Sequence, residues 1–346
     1  MMKLFIRRCL LLILIINSLI AKAQQDINFS QFYELPMLRN PALAGIFNGN
    51  VRFTAAYRNQ WQSVTTPYRT MALGSEIKFF KGFSTGDFVT AGLQITNDVA
   101  GDSKLKRTQV FPVLNYHKLL NEENNTFIAL AFMGGPVTEG FDPSKLQFDD
   151  QFVNGAYSAS NPTSQTFNKT HFSYIDASTG LSFTSLINNN AKIYFGAGLF
   201  HFTKPRLSFM SDNEVRLNKK WVFNTGVSAY TNTYNRIVMY VDYFMQGGGR
   251  MAQGGFLFIR NFDPDGDDSR LSLAGGAVYR YKDAIIPVIK LNTNKLSIGL
   301  SYDVNVSQLK TASSYRGGFE LTLSYMGLWN KANSDAEKVH CPINIW

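Results

Sequence analysis

The chain has 346 residues, of which 34 are Lys or Arg and 25 are Asp or Glu, giving a formal net charge of +9. Aromatic residues make up 14% and charged residues only 17%, against about 25% charge in an average soluble domain. The balance disfavours a charge-coated soluble enzyme, and no basic stripe with a recognisable motif points to nucleic acid.

Lys3, Arg7 and Arg8 precede a mainly apolar stretch from Cys9 to Ile20. That stretch is too short to span a bilayer and reads as a secretory signal, with Ala21-Lys22-Ala23 offering the small residues of a cleavage site. A signal peptide over 1–23 carries four basic residues and no acidic one, so the remaining chain has 34 − 4 = 30 basic and 25 acidic residues, a balance of +5. It also removes Cys9 and leaves Cys341 alone, which rules out an internal disulfide.

Residues 24–48 lack sustained alternation and contain Pro36 and Pro41, which cannot donate ladder hydrogen bonds. Yet Phe29, Phe32, Tyr33, Leu35, Met37, Leu38 and Leu43 make the segment too apolar to stay solvated. It is expected to form a plug or cap inside a barrel mouth. Asn40 before Pro41 predicts one helical turn ending near Gly45, with Arg52 and Arg58 as donors to its free carbonyls.

From residue 49 to about 330 the sequence alternates with period two over segments of roughly ten residues closed by turn chemistry. Val51, Phe53, Ala55 and Tyr57 alternate with Arg52, Thr54, Ala56 and Arg58; Met71, Leu73, Ile77 and Phe79 face away from Thr70, Gly74, Glu76 and Lys78; Val89, Ala91, Leu93 and Ile95 oppose Thr90, Gly92, Gln94 and Thr96. The pattern continues at about 104–118, 125–134, 170–184, 191–202, 219–231, 235–246, 249–262, 269–282, 284–291, 294–303 and 316–328. It predicts an all-β fold, a transmembrane antiparallel β-barrel of about 14 strands. A soluble β-sandwich is the competing architecture, but so many strands would normally divide into two domains.

Asn188–Asn190, Asn232–Asn235 and Asn292–Asn294 read as short periplasmic turns. Gly135–Lys169, Phe209–Asn218 and Phe262–Asp268 read as extended outer loops. On the polar face Arg52, Arg58, Glu76, Lys78, Asp176, Asp242, Arg260, Arg280 and Glu320 alternate with apolar neighbours, and are expected to pair within the lumen as a polar network. Residues 331–346 form a C-terminal tail.

Catalytic and metal signals are lacking. His117, His171, His201 and His340 do not have metal-ligand spacing, and no nucleophile elbow or phosphate loop occurs. Asp263-Pro-Asp265-Gly-Asp267-Asp268 begins like a calcium loop but has its glycine at position 4 and Ala274 at position 12, and reads as a solvated acidic loop. No cofactor and no enzymatic activity are expected.

Phe29-Ser30-Gln31-Phe32-Tyr33 followed by Asn40-Pro41-Ala42-Leu43-Ala44-Gly45 resembles the opening of the PorP/SprF family of Bacteroidetes membrane proteins. Tyr57-Arg58-Asn59-Gln60-Trp61 is similar to the family's next block, Ser297 to Ser307 to its late strand, and Cys341-Pro342 to its Cys-Pro ending, although Ile343-Asn344-Ile345-Trp346 departs from the usual basic-aromatic residues. The resemblance implies an outer-membrane component of the type IX secretion system, in some relatives linked to gliding motility. Its partners would be other components of that system and a secreted surface protein. The alternative from composition alone is an outer-membrane channel or transporter for small or apolar solutes.

Overall fold

The computed structural model describes residues 26–327 except 63–65, 80–85, 189, 208, 210–214, 263–270 and 309. The expected signal peptide, the acidic segment 263–268, residues 210–214 of the expected loop 209–218, the C-terminal tail and Cys341 therefore lie outside the described residues.

Fourteen antiparallel strands close into one barrel. In chain order they are β1 (Val51–Gln60), β2 (Tyr68–Phe79), β3 (Phe88–Ala100), β4 (Leu105–Asn121), β5 (Thr126–Gly140), β6 (His171–Ile187), β7 (Ala191–Phe200), β8 (Lys220–Tyr230), β9 (Asn235–Gln246), β10 (Gly249–Asn261), β11 (Leu271–Arg280), β12 (Ala284–Thr293), β13 (Leu296–Asn305) and β14 (Arg316–Gly327). Each strand pairs with its neighbours in sequence, and β1 meets β14 from Val51 opposite Gly327 to Gln60 opposite Gly318. Closure removes the sheet edges that a bilayer core could not solvate.

Period-two patterning decides which way each side chain faces. On β3, Thr90, Gln94 and Thr96 are buried inside while Leu93 is exposed on the outer wall. Leu114, Phe132, Leu181, Phe195, Met239, Ile289 and Leu300 continue that outer apolar surface. The barrel buries polar groups and exposes large apolar ones, as a lipid-facing wall requires.

Because every strand reverses direction, the connections alternate between two ends. The start of β1, the finish of β14 and the turns at 122–125, 188–190, 231–234 and 294–295 share one end, called here the turn end. Asn188, with φ of 55°, supplies the left-handed residue of one of these turns. The opposite, loop end carries 141–170, which holds two short 3-10 turns and a small ribbon, Phe152–Val153 with Ala156–Tyr157, and also carries 201–219.

Two loop expectations are corrected. Phe262–Asp268 was grouped with the outer loops, but Asn261 of β10 pairs with Ser272 of β11, which puts that connection at the turn end. Composition reveals a polar stretch, whereas strand parity decides its side. Nor does the loop after β5 begin at Gly135, since the strand runs on to Gly140. Gly134-Gly135-Pro136 looks like turn chemistry because the β4–β5 ladder pauses there, between Gln109 opposite Val137 and Val113 opposite Met133. Pro136 has no N–H to donate, and Gly135 passes so close to β4 that a Cβ would lie 2.2 Å from the Val110 oxygen.

Candidate functional site: the filled lumen

The barrel interior is occupied by the chain's own N-terminal segment. Described from Asp26, it begins near the loop end, where Asp26 meets Arg107, His201 and Lys220, and descends to the turn end, where Asn50 N–H donates to Gly327 O. Three short turns shape it: a 3-10 turn Phe32–Glu34, an α-helical turn α1 (Pro36–Arg39) and a 3-10 turn Pro41–Leu43. Pro36 and Pro41 each stand in the first turn of their element, where no donor is missed. Asn40 Oδ1 accepts from Ala42 N–H at 3.0 Å, and Gly45 has the positive φ of 90° that lets the chain turn away.

Apolar side chains of the segment meet apolar patches on the inner wall. Phe32, Tyr33, Leu43 and Ile46 form one cluster with Tyr194, Val238, Tyr240, Leu257, Ile259 and Ala274, while Phe29 and Leu35 pack with Ala56 and Ala72. Tyr33, Met37, Leu43 and Phe47 are 0% exposed. Burying a large apolar side chain contributes roughly 1.5–3 kcal/mol, so this segment is held far more firmly than a free tail.

Charged and backbone polar groups also join the segment to the wall. At the loop end Glu320 accepts from the Ser30 and Gln31 N–H groups, both at 2.7 Å, and Ser30 Oγ donates to Asp303. Arg58 donates to Asp303 at 2.7 Å and to Asn28 O, and Arg280 bridges Asp303 and Asp283. Midway, Arg39 forms a two-pronged pair with Asp242, its Nε at 2.7 and 2.8 Å from the carboxylate, and stacks 5.1 Å from the rings of Phe32 and Tyr194. Lys290 reaches Glu34. Toward the turn end Arg52 donates to Glu76 at 2.8 and 2.9 Å, Glu76 accepts from Gly45 N–H at 2.7 Å, and Lys78 donates to Phe47 O.

Asp26 and His201 lie outside the strands, and each shifts the other's titration. Burial opposes the charge on Asp26, yet Lys220, His201 and Arg107 hold its carboxyl well below the usual carboxylate range. Burial likewise opposes a charged His201, but Asp176 and Asp26 raise its pKa above the ordinary value.

The structure places Arg52, Arg58, Glu76, Lys78, Asp176, Asp242, Arg280 and Glu320 on the buried inner face, against or beside residues 26–48. Arg260 is the exception and is corrected. It is exposed on the outer face at the turn end, donating to Asn235 Oδ1 at 2.9 Å and stacked 4.9 Å from Tyr234. Phe256, Leu257, Phe258 and Ile259 are apolar on both faces, so alternation gave no parity at that end of β10; Leu257 and Ile259 point inward because the segment offers Leu43 and Ile46 there. The carbonyl donors are corrected too. Ala42 O accepts from Asn115 and Ser182, and Ala44 O from Asn115 and His117, whereas Arg52 and Arg58 are engaged elsewhere. Asn115, His117, Ser182, Lys290 and Asp303 are not among the lumen residues expected from sequence, although strand parity alone puts each on the inner face. Arg39 and Glu34, on the segment itself, carried no periodic signal.

A family model matches residues 21–325, described as the type IX secretion system membrane protein PorP/SprF. The chain belongs to the PorP/SprF family. No curated protein matches it. Among solved structures, this PorP/SprF member is similar to a Pseudomonas aeruginosa FadL homologue at 9% identity, covering 83% of this chain and 92% of that one with a TM-score of 0.47. It is similar to the CymD monoaromatic hydrocarbon channel at 9% identity over 84% and 92% with a TM-score of 0.46, and to the NanC porin at 8% identity over 80% and 98% with a TM-score of 0.39. Membership makes this barrel a membrane protein of the type IX secretion system, with other components of that system as partners.

Proposed function

We propose that this barrel helps to secrete or retain a surface protein, an adhesin or a gliding-related cargo, and that it acts by engaging protein partners and performs no chemistry. Family membership supplies the secretion context. The observation that carries the reading is the filled lumen: residues 26–48 lie buried against the inner wall, the Ala42 and Ala44 carbonyls accept from wall side chains, and Arg39 pairs with Asp242, so the segment serves in this reading as a plug. An interior occupied along its length by the chain's own segment favours a scaffold over a conduit for small solutes.

Deleting the gene and comparing the cell-surface proteome tests the proposal. Loss or mislocalisation of one or a few large surface proteins is expected, and an unchanged surface would defeat it.

A further inference from the structure

The lumen's charges are unevenly spread along its axis. Toward the loop end Asp98, Glu139, Asp176, Asp303 and Glu320 line the wall with Asp26 of the segment, and Arg58, Arg107, Lys220 and Arg280 answer them. Toward the turn end, among the described residues, Glu76 is the wall's one inward carboxylate and is taken by Arg52, and Lys290 is paired with Glu34 of the segment, while Lys78, Lys192 and Arg236 add positive charge.

Arg236 stands out within that excess. Its strand parity is that of Val238, Tyr240 and Asp242, so it faces the lumen, one inward position nearer the turn end than Val238, which packs with Leu43 and Ile46. Lys192 lies on the same inner surface, opposite Ser228 of β8, which itself pairs with Val238. Arg39, Arg52, Arg58, Arg107 and Arg280 each have a carboxylate within reach. Arg236 has the Tyr230 ring, 5.8 Å away. A half-buried guanidinium costs free energy unless a matching anion satisfies it, and its planar fork fits a carboxylate at two points.

We propose that this turn-end mouth, centred on Arg236 with Lys192 two strands away on the same inner surface, is a docking site for an acidic segment of a periplasmic protein partner. The assignment of side follows barrel architecture, in which both barrel termini and the short turns face the periplasm. The choice of a protein partner rests on the secretion reading above. The plug blocks deeper entry, so the acidic segment seats against the mouth without threading the lumen.

Full-length protein purified in detergent is titrated with a fluorescein-labelled oligo-glutamate peptide, and the folded state of each variant is checked by heat-modifiable electrophoretic mobility. The wild type is expected to bind with an affinity that weakens as salt rises. Arg236→Gln should lose tenfold or more, Arg236→Lys less, and Arg260→Gln, on the outer face of the same end, should match the wild type. Absence of binding by the wild type, or equal binding by Arg236→Gln, overturns the proposal. So does binding seen only after Asp263, Asp265, Asp267 and Asp268 are changed to Asn, because the chain would then be filling its own mouth. Peptide binding without any change in surface proteome on deletion would keep this site and remove the secretion reading.

Discussion

Arg39 joins the segment to the wall at mid-depth, and its pairing with Asp242 is buried on both sides at 0% side-chain exposure. Arg39→Ala leaves a carboxylate without a counter-charge in a dry interior, for which a loss of about 3–5 kcal/mol is expected. The double change Arg39→Met with Asp242→Leu should recover most of that, since two well-packed apolar groups replace the pair. Urea unfolding in lipid vesicles measures both, and equal losses for the single and double variants would show that packing outweighs charge at this point. At the loop end the sign of the pH effect follows from the two shifted groups. His201 has a raised pKa, so its stabilising charge is fully present below about 6.5 and is lost as pH rises through its higher folded value. Asp26 has a lowered pKa, so its contribution holds above about 3.9 and fails only as pH falls through its depressed value. The protection factors of the residue 26–31 amides, taken against their intrinsic exchange rates, should therefore fall from pH 6 to pH 8, and His201→Gln should abolish that fall. Protection factors in the wild type that do not change over this range would contradict the assignment.

At the scale of the element, the segment's fixed position predicts resistance to proteolysis. Arg39 is 2% exposed, so trypsin should leave the bond after it intact in the detergent-solubilised barrel, and rapid cutting there with the barrel whole would refute the plug. The strands were legible because a wall with lipid on one face and a polar interior on the other must alternate, as in Leu93 beside Gln94 or Leu300 beside Ser301. Legibility failed where that rule lapses. Beneath the segment the inner wall turns apolar to receive Leu43 and Ile46, so β10 shows no alternation around Arg260. Pro136 and Gly135 read as a turn because their irregularity lies inside the β4–β5 ladder. The segment announced its burial through its aromatics, but its partners Asn115, Ser182 and Asp242 are set by the three-dimensional path of a chain that has no period of its own.

For the whole molecule, an apolar outer wall around a polar interior predicts a steep cost for charge on the membrane side. Leu93→Arg, near the middle of β3 and facing outward, should destabilise by about 2–4 kcal/mol, while Val153→Arg in the exposed loop-end ribbon should change stability by no more than about 0.5 kcal/mol. Equal effects would mean the barrel is not surrounded by lipid at that height. The central claim, a lumen closed by the chain's own N-terminal segment, is tested most directly by single-channel recording of the full-length protein in planar bilayers, beside a variant lacking residues 26–48. The account predicts near silence from the full-length protein and stable openings from the deletion variant; steady conductance from the full-length barrel would contradict it.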